Sequence, residues 1–291
     1  MKKYLVALVA LSLQGAPAFA QLDVGRLLDF GRKAVDTSKK LAEANREFTT
    51  EEEVALGDGI TTGFLGAAPL HDDANLQRYV NRVGKWVALH SERADLPWSF
   101  GVIRGDTINA FAMPGGTVLV SHGLLKRLAN ESELAGALAH EIAHVVKKHQ
   151  LAAIQSSMSS EAWTDISKEV AGQAISRRGG GNEFIKSKLS NAGLDLVKNG
   201  VFLRPLDRSM EYEADRMAAV LAARAGYDPY GIVAVLQMLG QSEADNTGTS
   251  ILDTHPASAD RLAELERFLP TLDRYAAQPQ VEARFKQVVG K

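Results

Sequence analysis

The sequence predicts an α+β fold that is mostly helical with a small antiparallel sheet, and three observations predict it. Short β-rich runs over 98–103, 109–112 and 117–120 lie close together, divided by Gly105-Asp106 and Pro114-Gly115-Gly116. On either side of them apolar residues recur at helical spacing. With 291 residues, 45% hydrophobic and 23% charged, the chain has material for one core, and no linker separates two independent apolar patterns.

Composition also excludes several function classes. Lys plus Arg number 33 against 35 Asp plus Glu, a formal charge of −2, and there is no basic block, so nucleic acid is not an expected partner. The chain has no cysteine, which removes disulfides, thiolate metal sites, a cysteine nucleophile and a lipid-modified cysteine. A metal here has to be held by histidines and carboxylates.

Lys2 and Lys3, the apolar stretch from Tyr4 to Leu13 and the small-residue site Ala18-Phe19-Ala20 predict a signal peptide over 1–20, cleaved near Ala20. Ten apolar residues fall short of the roughly 20 that cross a bilayer, so no transmembrane span is expected in the mature protein. Cleavage leaves 31 basic and 35 acidic residues, a formal charge of −4. Residues 22–47 carry an amphipathic helical pattern, weakened by Gly25 and Gly31. This arm suits either a peripheral membrane or partner contact or packing on its own domain, and the mixed charges of its polar face favour packing. Two further helices are expected within 50–93.

After the sheet, Asn130 with Glu133 three residues later predicts a capped helix over about 131–150. The glycine-rich segment Ser176 to Asn182 is expected to be a mobile loop. A second helix begins near Glu211, a polar break covers 242–250, and a last helical stretch starts near Ala257.

His140-Glu141-Ile142-Ala143-His144 falls inside the 131–150 helix. Four residues apart, the two histidines stand one turn apart and about 40° round the axis, so both imidazoles reach one ion with Glu141 beside them, a geometry that suits zinc. A catalytic zinc needs a third protein ligand and an open position. His149, nine residues beyond His140, would be on the opposite face of an unbroken helix and is expected to be a surface or packing residue. Glu211 and Asp215 share a face of the later helix, so Glu211 is the expected third ligand and Asp215 the acceptor for the outer N–H of a metal-bound histidine. Glu213 points away from that face and is expected in solvent. His71, His90 and His122 have no such context and are read as structural.

Together with Asn109-Ala110-Phe111-Ala112-Met113-Pro114-Gly115-Gly116, Glu133-Leu134-Ala135, and His255-Pro256 with Arg261, these motifs make the sequence resemble, over about residues 50–270, the HtpX/CaaX-prenyl-protease family of zinc metallopeptidases, in particular its soluble periplasmic BepA/LoiP-like members. The resemblance implies a gluzincin-type fold with one Zn2+ per chain on His140, His144 and Glu211, Glu141 as catalytic base, and Asp215 behind the metal. It places His255 over the active site, either filling the open zinc position or hydrogen-bonding the reacting carbonyl. It makes the strand Asn109, Ala110, Phe111, Ala112 an edge on which an extended substrate adds. The expected organisation is a signal peptide (1–20), a helical arm (21–49), a zinc metallopeptidase domain (50–270) and a helical tail (271–291). Neither the tetratricopeptide repeats nor the lipidated cysteine of some such members is expected, nor are the membrane spans of others.

The expected function is a periplasmic zinc endopeptidase that cleaves unfolded or misassembled exported and outer-membrane proteins. The alternative is a latent or self-inhibited protease that acts mainly as a chaperone-like binding factor.

Overall fold

The computed structural model describes residues 46–179, 205–244, 255, 258–275, 279 and 281–290. The expected signal peptide, most of the arm over 22–47 and the later part of the glycine-rich segment lie outside the described residues. Among the described residues, no helix is long and apolar enough to cross a membrane.

Two helices precede the sheet. Helix α1 (Thr50–Ala67) starts at a capping box in which the Thr49 side chain accepts from the Glu52 amide and Glu52 accepts from the Thr49 amide. Helix α2 (Ala74–Ala88) is capped by Asp73 and buries Leu76, Tyr79, Val80, Val83 and Val87 along one face. Strands β1 (Ser99–Ile103), β2 (Ala110–Met113) and β3 (Thr117–Ser121) follow.

The strand order is β1-β3-β2, with β2 antiparallel and β1 parallel to β3. This corrects the expected antiparallel sheet: the sheet is mixed. Pro114-Gly115-Gly116 does form the β2–β3 hairpin turn, with the Gly116 amide donating to Met113 O. The β1–β2 connection is not a hairpin. Its six residues, 104–109, span two strand spacings of about 5 Å each and set β2 down beyond the place β3 will take.

The two sheet edges are treated differently. Gln77 and Asn81 of α2 accept from the Val102 and Phe100 amides, and the His71 amide donates to Val102 O, so β1 has its outer edge covered. Strand β2 pairs only with β3 among the described residues. Its hairpin turn is pinned from behind. Gly115, at φ +80, lies so close to α1 that a Cβ would stand 2.5 Å from Val54 Cα. Buried Glu53 accepts from the Gly115 amide while paired to Arg93 through both oxygens at 2.9 Å.

Helices α3 (His122–Arg127) and α4 (Glu131–Val146) come next. As the spacing predicts, Asn130 accepts from the Glu133 amide, and Glu133 in return takes the Ala129 amide. Helix α4 is buried nearly all round, with α2 and the sheet on one side and α7 (Arg208–Arg224) and α8 (Gly231–Ala244) on the other. In chain order, α5 (His149–Ser156) and α6 (Ser160–Gly179) come between α4 and α7. The first residues of the expected 176–182 loop are therefore the end of a helix. Helix α9 (Ser258–Phe268) packs on α7 and α8, a 3-10 turn covers Leu269–Tyr275, and α10 (Glu282–Val289) buries Phe285 in the same core.

The expected 131–150 helix is two helices. Helix α4 ends at Val146, and Lys148 adopts the left-handed conformation, φ 59 and ψ 29, before α5 starts. That reversal changes where His149 points.

Candidate metal centre

Helices α4 and α7 run against each other, and the centre lies between them. On α4, His140 and His144 face α7, with Nε2 atoms 3.0 Å apart. On α7, Glu211 in the first turn brings Oε2 to 3.5 Å from His140 Nε2 and Oε1 to 3.5 Å from His144 Nε2. His255 completes the group, its Nδ1 2.9 and 3.0 Å from the two Glu211 oxygens and 3.4 Å from His140 Nε2. One atom from each of these four buried residues lies within 4.8 Å of all the others.

Those spacings fit a cation. Ligand atoms held 2.0 to 2.1 Å from a tetrahedral ion stand about 3.3 Å apart, and most edges of this group lie near that. Imidazole lone pairs turned toward one another repel unless a proton or a metal lies between them. Burial works against charging His140, but Asp215, and after it Glu211, outweigh burial and push its pKa up to about 9. His144 is held well below the usual range by burial and then by charged His140. Burial also opposes the Glu211 charge, yet His255, His140 and Arg261 keep it ionised.

Asp215, one turn along α7 from Glu211, lies with Oδ1 2.9 Å from His140 Nδ1, in contact but off the line of a well-aligned hydrogen bond. Arg261 of α9 clamps Asp215 through Nε at 2.8 Å and Nη2 at 2.7 Å and reaches Glu211 Oε2 with Nη1 at 3.2 Å. The fully buried guanidinium holds both carboxylates in place. As a supporting residue Arg261 has no spacing signal, because it meets its partners only when α9 packs on α7.

Glu141 is 2% exposed and its Oε2 has no hydrogen-bond partner among the described residues. It opens with His140 and His255 onto a narrow pocket lined by Ile232, Val235 and Leu236 of α8. Ala110 of β2 lines the same pocket. Asn109 is 3% exposed, and its Oδ1 accepts from the Ala110 amide, so the side chain is turned to its own backbone. Phe111 packs on Phe64 of α1, centroids 4.6 Å apart, and Ala112 is buried. The Ser121 amide donates to Asn109 O, and alternation along the ladder then turns the main-chain groups of Ala110 and Ala112 away from β3.

His149 is brought in, against the expectation that it points to the opposite face. Because α4 stops at Val146, His149 folds back to place Nδ1 2.9 Å from His144 Nδ1, and it is 4% exposed. Glu213, expected in solvent, is partly exposed but accepts from Lys147 at 2.6 Å and lies 3.3 Å from His149 Nε2. His71 and His122 lie against each other with tilted rings, 4.5 Å between centroids, and His90 packs edge-on against Trp86.

Known proteins match over this region and beyond it. The beta-barrel assembly-enhancing protease of Escherichia coli (strain K12) is 30% identical over 270 residues, covering 91% of this chain and 52% of its own length. The mitochondrial metalloendopeptidase OMA1 of Schizosaccharomyces pombe is 33% identical over 193 residues, 66% of this chain and 52% of its own. Metalloprotease YcaL of Escherichia coli (strain K12) is 30% identical over 185 residues, 63% of this chain and 67% of its own. The chain thus spans about half the length of the first two relatives. The model of peptidase family M48 matches residues 72–269, more than half of the chain and all four residues of the centre, and the chain belongs to that family.

Proposed function

We propose that the chain is a zinc-dependent endopeptidase of the periplasm that cleaves unfolded or misassembled exported and outer-membrane proteins. The observation that carries the reading is the convergence of His140, His144 and Glu211 beside the unpartnered Glu141 Oε2. His140 and His144 would hold the metal through Nε2 and Glu211 through its carboxylate, with Asp215 and Arg261 bracing them. When bound, zinc would polarise a peptide carbonyl and acidify a water. Glu141 takes the proton of the attacking water at its free oxygen and passes it to the leaving amine. With the Ala110 amide taken by Asn109 Oδ1, the outward Ala110 carbonyl and the Ala112 main-chain groups offer an extended substrate a strand to pair with, which reads backbone more than side chains and so favours unfolded chains.

The location and substrate class rest on the signal-peptide pattern at 1–20 and on relatives whose name joins proteolysis to beta-barrel assembly. The proposed organisation is a signal peptide over 1–20, an arm over 21–49, the peptidase domain over 50–270 and a tail over 271–291. The test is cleavage of casein and of a denatured outer-membrane protein by purified mature protein, with zinc analysis of the same preparation. One zinc per chain, with cleavage abolished by chelator, is the expected result. A preparation that takes up no zinc in titration would sink the assignment.

A second reading, a latent enzyme, is favoured by the position of His255. With Nδ1 on the Glu211 oxygens and near His140 Nε2, His255 would serve as a fourth protein ligand and leave no open position. Under that reading His255→Ala raises proteolysis. If His255 instead steadies the developing oxyanion, the same change lowers the rate by about 10² to 10³-fold.

A further inference from the structure

Behind the candidate metal ligands lies a second, ordered line of groups: His144, His149, Glu213 and Lys147. His144 turns Nε2 to the other ligand atoms and Nδ1 away from them, toward His149 Nδ1 at 2.9 Å. Two imidazole nitrogens this close share one hydrogen, so one donates and the other accepts. A histidine that offers the Nε2 lone pair to a metal carries its hydrogen on Nδ1, which makes His144 the donor and His149 Nδ1 the acceptor. The hydrogen of His149 is then on Nε2, the atom that faces Glu213 Oε2 at 3.3 Å. Glu213 is tied in turn to Lys147 Nζ at 2.6 Å. Each link determines the hydrogen position of the next.

The backbone is shaped to permit this line. Lys148 occupies the left-handed region, which a side chain with a β-carbon rarely adopts, and that single reversal ends α4 and turns His149 back against it. A continuous helix would carry His149 to the far side of its axis.

We propose that His149, oriented by Glu213, is a positioning residue that fixes the tautomer and ring plane of His144 for metal binding. The inference rests on the metal-centre reading above. It assigns His149 no contact with metal or substrate.

The test uses the mature full chain. Zinc affinity is measured by competition with a chromophoric chelator, and the visible spectrum of the Co2+-substituted protein reports ligand geometry, neither of which needs turnover. His149→Phe keeps a ring of similar bulk and removes the acceptor, and is expected to weaken zinc by about 10 to 100-fold and to alter the Co2+ spectrum. His149→Asn sets an amide oxygen near the place of Nδ1 and is expected to recover most of that loss. Glu213→Ala is expected to weaken zinc in the same direction by less. Wild-type affinity and spectrum in folded His149→Phe would overturn the proposal, and so would His149→Asn as weak as His149→Phe, which would reduce the contact to packing. Should His149→Phe fail to fold, His149→Asn and Glu213→Ala decide: wild-type zinc binding in both overturns the proposal. Wild-type protein that takes up no zinc fails the metal-centre reading instead, a different result from a wild type that binds and variants that do not differ.

Discussion

Helix α4 carries two buried carboxylates ten residues apart, one in its first turn and one in its C-terminal half, and the two are used in opposite ways. At its start, Glu131 is 0% exposed and fully engaged: it accepts from Tyr79 Oη at 2.6 Å, Tyr227 Oη at 2.8 Å and the Arg284 guanidinium, including Nε at 2.6 Å. Burial, together with Glu131 beside them, pushes both phenols above their usual range, so they remain donors. Ten residues on, Glu141 is buried nearly as deeply, yet one of its oxygens has no hydrogen-bond partner among the described residues. A saturated buried cluster holds elements together, whereas an unsaturated one waits for something to complete it. Burial alone does not distinguish the two; the count of satisfied groups does.

Exchanging the perturbation between the two carboxylates sharpens the contrast. Glu141→Gln preserves shape and removes proton acceptance, so hydrolysis should fall by at least about 100-fold with zinc content and melting temperature retained. Near-normal activity would remove Glu141 from the mechanism. Glu131→Leu should do the reverse, stranding two hydroxyls and costing about 2 to 3 kcal/mol of stability by denaturant melts while the folded fraction keeps its specific activity. A loss of activity without loss of stability would show that the N-terminal cluster also tunes the site.

The pH response separates the two regions further. In metal-free protein, His140 has its folded pKa raised from about 6.5 to about 9, so its contribution is full below about 6.5 and is lost as pH rises through 9. His144 is shifted the other way, so its contribution is present above about 6.5 and is lost as pH falls. Melting temperature of the metal-free protein should peak near neutrality and decline toward pH 9, with zinc abolishing that decline. A flat profile from 6.5 to 9 in metal-free protein would contradict a proton on His140. The smallest effect belongs to a site remote from both regions. Burial works against the Glu52 charge, but the Arg46 hydrogen bond and the Thr49 amide hold its pKa below the usual range. Glu52→Gln should therefore cost about 0.5 to 1 kcal/mol above about pH 4.3, less as pH falls, with proteolysis unchanged.

Local rules made much of this legible. The period of α4, its Asn130 cap and the one-turn spacing of His140 and His144 are properties of a few adjacent residues. Glu211 and Asp215 were readable for the same reason. The sheet order was not, because whether 104–109 turns back beside β1 or passes beyond it depends on which strand arrives in the middle. His149 was misplaced by extending α4 through Lys148, since nothing in a lysine announces a left-handed backbone. Arg261 was marked in the sequence only as part of the motif with His255-Pro256; its clamp on Asp215 forms through tertiary packing that its own neighbours do not encode.

The centre also has a timetable. His140 and His144 belong to one helix, but His255 meets His140 across 115 positions of sequence and Arg261 meets Asp215 across 46. As the chain emerges from its N-terminal end, the two imidazoles exist as a half-site well before the carboxylate and the buried arginine arrive, and closing such distant pairs is the slow part of folding. A two-point chelate exchanges its ion readily. On the proposed function, zinc would therefore be committed only once α7 and α9 have docked, and hydrolytic competence would come last, after the chain's own backbone has withdrawn into the core and is no longer the nearest unfolded chain.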